Sequence, residues 1–95
     1  MNIVFTEHAL FEMKRREIAK EHIQAAIENP EQLIDEYSGR LCFQNKYFDE
    51  IENNEMILRV IAEKSKDDYV IITAYKTSKI KKYWKQEKKD ESHLW

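Results

Sequence analysis

Ninety-five residues, 42 % of them hydrophobic, with one Gly and one Pro, suit one small domain with a single core and exclude a flexible linker or a low-complexity chain. The lone Cys42 excludes an internal disulfide and fits a reducing cytoplasm, while no basic leader or membrane-length apolar run can be read. The net charge of −2 hides a split: residues 76–89 hold seven lysines and one acid, about +6, against nine basic and seventeen acidic residues elsewhere, about −8.

The chain begins with a short extended entry, "NIVF". Thr6 is placed to cap a helix running to about Arg16, with Leu10, Met13 and Ala9 facing inward. Ile23, Ala26 and Ile27 have the i, i+3, i+4 spacing of a second helix over about 19–29, which Pro30 stops. A link of two or three residues makes the pair a tight αα-hairpin. The periodicity then changes to two. "EQLIDEY" and "RLCFQNKYF" flank Ser38-Gly39 as a hairpin, "DEIENNE" is an acidic loop, and "MILRVIAEK" and "YVIITAYK" form a second hairpin around "SKDD". "TSKIKKYWK" reads as a short helix with Ile80, Tyr83 and Trp84 on one face. The expected fold is α+β: two N-terminal helices, a four-stranded antiparallel sheet with the helices on one face, and a short C-terminal helix. It spans residues 1–86, and residues 87–95 form a charged tail.

Strand alternation assigns the faces. Met56, Leu58, Val60 and Ala62, with Val70, Ile72 and Ala74, form all-apolar sets that should meet the helices. A three-residue loop at Lys66–Asp68 then sets Arg59 opposite Tyr75 and Ile61 opposite Thr73. The helix-free face would carry an arginine, a tyrosine and a threonine close together beside the lysine-rich segment. A guanidinium there suits a phosphate, and lysines interleaved with Tyr83 and Trp84 suit a nucleic-acid backbone and its bases. The same residues also suit an ordinary cross-strand cation–π pair and a solvated helix packed by its aromatics.

His8, Glu12 and Arg16 form one row along the first helix, which fits either acid–base chemistry or a surface ladder of ion pairs. The histidines lack metal-ligand spacing and the acids lack a calcium-loop pattern, so no metal or other cofactor is expected. Cys42, between Leu41 and Phe43, reads as inert packing.

Taken in order, "FTEHALFEMKRREI", a second helix ending in "NP", "SGRLCF", "MILRVI" and "VIITAYKTSKIKKYW" resemble domain-of-unknown-function family 4258, grouped with the BrnT and RelE/ParE-type toxins of type II toxin–antitoxin systems. The resemblance covers about residues 3–84. Glu12 stands where the family pattern has arginine, and Glu17 where it has glycine, which suggests helices that meet without a positive φ. The resemblance implies a RelE-like fold and a cytoplasmic, metal-independent ribonuclease that cleaves free or ribosome-bound mRNA and is neutralised by a small antitoxin encoded nearby. It implies His8 as base or acid, Arg59 as a phosphate clamp, Tyr75 as acid or base-stacker, and Arg16, Thr73, Lys76, Lys79 and Lys82 as RNA contacts. The alternative is a non-catalytic RNA- or protein-binding module on the same scaffold.

Overall fold

The computed structural model describes residues 2–86; the expected tail at 87–95, with Lys88 and Lys89, lies outside them. The elements are β1 (Asn2–Phe5), α1 (Glu7–Arg16), α2 (Lys20–Glu28), β2 (Gln32–Asp35), β3 (Arg40–Asp49), β4 (Asn54–Ser65), β5 (Asp68–Thr77) and α3 (Ile80–Tyr83), with a 3-10 turn at Tyr37–Gly39. The class is α+β, but the sheet has five strands in the order β1-β5-β4-β3-β2 and is mixed rather than wholly antiparallel. The extended entry supplies the fifth strand, pairing parallel with β5 from Asn2 opposite Asp68 to Phe5 opposite Ile71. Nothing local announces this, because the partner lies more than sixty residues away.

Thr6 fastens that strand to the helix behind it. Its Oγ1 accepts from Ala9 N at 3.0 Å and donates to Ile71 O at 2.9 Å, so one hydroxyl caps α1 and ties it to β5. Helix α1 ends at Glu17, which takes the left-handed conformation at φ 58°. This corrects the expectation drawn from the missing glycine: the turn does need a positive φ, and a glutamate adopts it at a cost of about 1 kcal/mol. Ala9, Met13, Ile23, Ala26 and Ile27 pack on Phe43, Leu58, Val60, Ala62, Ile71 and Ala74 to form the core. Leu10 was expected inward but is 40 % exposed, because Ala9, Glu12 and Met13 form the buried line of α1.

The β4–β5 register explains why the site forms. Its loop has two residues, with Ser65 opposite Asp68, one fewer than expected. A bulge at Ile72 makes up the difference, so Arg59 still faces Tyr75 and Ile61 still faces Thr73. The bulge also turns the first half of β5 over: Ile71, not Ile72, is fully buried in the core, with Tyr69 packed beside it.

The helices do not share one face. Helix α3 and the residues after it lie on the side opposite α1 and α2, where Tyr83 covers Arg59. The surface expected to be free of helices is therefore partly roofed. No helix among the described residues is long and apolar enough to cross a membrane.

Candidate functional site

Three strands deliver one row of polar side chains to the roofed face: Gln44 of β3, Arg59 of β4 and Tyr75 of β5 are successive cross-strand partners. Arg59 is 6 % exposed, and each guanidinium nitrogen is engaged. Its Nε donates to Gln44 Oε1 at 2.8 Å, one terminal nitrogen donates to the Tyr75 hydroxyl, and the other meets Glu36 Oε2 at 3.3 Å. The Tyr83 ring lies 4.4 Å from the guanidinium carbon and edge-on to Tyr75. A buried charge is tolerable when it is saturated in this way, and among the described residues no buried side-chain nitrogen or oxygen lacks a partner.

Burial works against the Arg59 charge, but Cys42, Tyr75 and Glu36 around it outweigh this and hold its pKa above the ordinary arginine value. Burial also raises the Tyr75 pKa, although the Arg59 hydrogen bond opposes the rise. The phenol therefore keeps its proton at neutral pH. Burial pushes the Cys42 thiol up to about 11, which makes it a poor nucleophile.

Arg59, Glu36 and Tyr75 line an open cleft of about 440 Å³ together with Tyr37, Arg40 and Thr73. Glu36 reaches it from the loop between β2 and β3, and Tyr37 stands beside it 90 % exposed. Ser38 and Gly39 both take positive φ in this loop, which suits a Ser-Gly turn.

The expected site residues do not gather in one place. Arg59, Tyr75 and Thr73 line the cleft together. Lys79 and Lys82 are exposed at the start and within α3, the latter 5.2 Å from the Tyr83 ring centre. Arg16 approaches from the edge of β5 that β1 leaves open, donating to Ala74 O at 2.8 Å and Thr73 Oγ1 at 3.3 Å. Lys76 lies on the helix-covered side, in clefts shared with Glu17 and Asp49. His8 is exposed in the first turn of α1, two turns from Arg16, and lines none of these clefts. Its row neighbour Glu12 is buried, pairs with Arg15 and Arg16, and is held below the usual carboxylate range chiefly by the Arg15 hydrogen bond.

Sequence reasoning missed Glu36, Gln44 and Tyr83 as partners of Arg59. Gln44 carried a signal, being a polar residue inside the apolar run "LCFQ" and on the same strand face as Cys42. Glu36 carried none, since its approach to Arg59 depends on the loop geometry. Among the described residues no three His, Cys, Asp or Glu side chains gather in a way that could hold a metal ion.

A family model, described as Domain of unknown function (DUF4258), matches residues 5–76 of the chain. No curated protein and no solved structure matches it.

Proposed function

The chain belongs to the domain-of-unknown-function family DUF4258, and we propose that it is a RelE-like toxin of a type II toxin–antitoxin pair that cleaves RNA without a metal. The carrying observation is the Arg59 guanidinium held between a carboxylate, Glu36, and a phenol, Tyr75, all three lining an open cleft.

RNA cleavage by its own 2′-hydroxyl needs a base, a cation at the phosphate and an acid for the leaving oxygen. Glu36, with its side chain 34 % exposed, takes the 2′-hydroxyl proton. The 2′-oxygen then bonds to phosphorus while Arg59 offsets the charge growing on the phosphate oxygens. The bond from phosphorus to the 5′-oxygen breaks, and Tyr75, kept protonated by burial, gives that oxygen its proton. The products are a 2′,3′-cyclic phosphate and a 5′-hydroxyl end. Glu36 takes the base role rather than His8 because it contacts Arg59 directly. Lys79, just before α3, and Lys81 and Lys82 on it, all exposed, draw the strand in. A small acidic antitoxin suits the same lysines.

The experiment is expression in a prokaryotic cytoplasm with mapping of RNA ends. Glu36→Gln and Tyr75→Phe should each lower cleavage by about a hundredfold or more, and growth arrest should vanish with them. If folded variants cleave and arrest growth as the parent does, the assignment falls.

One observation favours a second function, a non-catalytic RNA- or protein-binding module: every guanidinium nitrogen of Arg59 is already bonded within the protein. Salt-sensitive RNA binding that weakens on removal of Lys79, Lys81 and Lys82, with no new RNA ends, would establish that function and displace the first.

A further inference from the structure

Gln44 is fully buried, and both ends of its amide are used. Its Nε2 donates to Gln32 Oε1 at 2.7 Å and to Tyr83 O at 3.0 Å, while its Oε1 accepts from Arg59 Nε at 2.8 Å. Gln32 in turn grips the main chain of Lys85 on both sides. Its Nε2 donates to Lys85 O at 2.8 Å, and its Oε1 accepts from Lys85 N at 3.0 Å. Two side-chain amides thus join the Arg59 guanidinium to the backbone of residues 83–85 in one continuous relay.

The segment held by this relay has little else to keep it down. Ile80, Tyr83 and Trp84 are half-buried and none is fully covered. Besides the Tyr83 ring over Arg59, Trp84 receives the Lys46 ammonium at 4.4 Å. A short element with few buried apolar contacts opens before the rest of a domain does. Beneath it lies the Arg59 guanidinium, the buried charge that gains most from being uncovered.

We infer that residues 80–86 are a strap latched by Gln32 and Gln44, and that its release turns buried Arg59 into a binding site for one phosphate group of a nucleic-acid strand. This rests on the RNA-contacting role proposed above for the same face. Lifting the strap removes the Tyr83 ring from the guanidinium and frees the Gln44 N–H that Tyr83 O had accepted. An amide donor and a planar fork of guanidinium donors then stand side by side, a geometry that matches the oxygens of a phosphate. The bond to Glu36, at 3.3 Å longer than that to Gln44, yields most easily to an incoming anion.

The test compares the full chain with Gln32→Ala, which removes both bonds to Lys85, and with Trp84→Ala, which alters the strap itself. Three measurements need no RNA cleavage: amide exchange along the strap, phenylglyoxal labelling of Arg59 mapped by mass spectrometry, and binding of inorganic tripolyphosphate. Loss of the two hydrogen bonds to Lys85, and with them the one from Gln44 Nε2, should speed exchange at Trp84 and Lys85, and labelling of Arg59, by about tenfold. Tripolyphosphate should bind severalfold more tightly, while Leu58 and Val60 in β4 keep their protection. If Gln32→Ala unfolds the sheet, Trp84→Ala carries the comparison. The proposal is overturned if Arg59 labelling stays at the parental rate in the folded variants, whether or not strap exchange quickens. It is likewise overturned if Arg59 becomes reactive and tripolyphosphate binds no better. RNA that stays uncut while Arg59 becomes reactive would sink the ribonuclease and leave the strap standing.

Discussion

Phe43, Val60 and Ala74 stand in a row across three strands beneath α1 and α2, and one residue along each strand Gln44, Arg59 and Tyr75 stand in a row beneath the strap. Both rows are largely buried, yet they are held by different forces. The first gains from apolar area removed from water, which is non-directional and tolerates small shifts. The second gains little net energy, because the desolvation of Arg59 and Gln44 must first be offset. It demands instead that every donor meet an acceptor in one arrangement. One face therefore supplies stability, while the other fixes geometry around a single charge.

The sharpest way to break this contrast is Phe43→Ala. Phe43 is almost wholly buried and touches Tyr69 edge-on at 5.2 Å, so its loss should cost about 3–5 kcal/mol in urea unfolding. A loss below about 1 kcal/mol would mean that the helix-covered face is not the main source of stability.

On the polar face, Arg59→Ala should cost about 2–4 kcal/mol, because it leaves Gln44 Oε1 and the Tyr75 hydroxyl without their partner. Arg59→Met fills more of the space and should cost visibly less. Equal losses from the two variants would show that pairing, not packing, holds this face.

A pH titration sharpens the comparison further. The Cys42 thiol, fully buried on the polar face, is raised from 9.0 to about 11. Above pH 9 the unfolded chain releases this proton while the folded chain keeps it, so the unfolded state binds fewer protons. Stability should therefore fall as pH rises from 9 to about 11, by roughly 2–3 kcal/mol in total. Cys42→Ala should flatten that part of the curve; an unchanged slope would assign the loss to other groups, Tyr47 at about 12 among them.

Much of this was legible along the chain. Thr6 as a cap, Pro30 after α2, the turn at Ser38-Gly39 and the period-two runs of β4 and β5 are local signals, and they place Arg59 across from Tyr75. That register came out right although the loop is a residue shorter than expected, because the bulge at Ile72 restores the count. Alternation cannot reveal a bulge, since Ile71 and Ile72 are equally apolar and either could take the core position.

The amino-acid order alone determined which segments are helix or strand and, away from the bulge in β5, which side chains share a strand face, because these depend on neighbours a few positions apart. Tertiary structure alone decided that "NIVF" joins β5, that α3 crosses to the polar side, and that Glu36 and the two glutamines close around Arg59. The physical reason is that a buried guanidinium must find acceptors wherever the folded chain brings them. Those acceptors come from β3, β5 and a loop, which are brought together only in the folded chain.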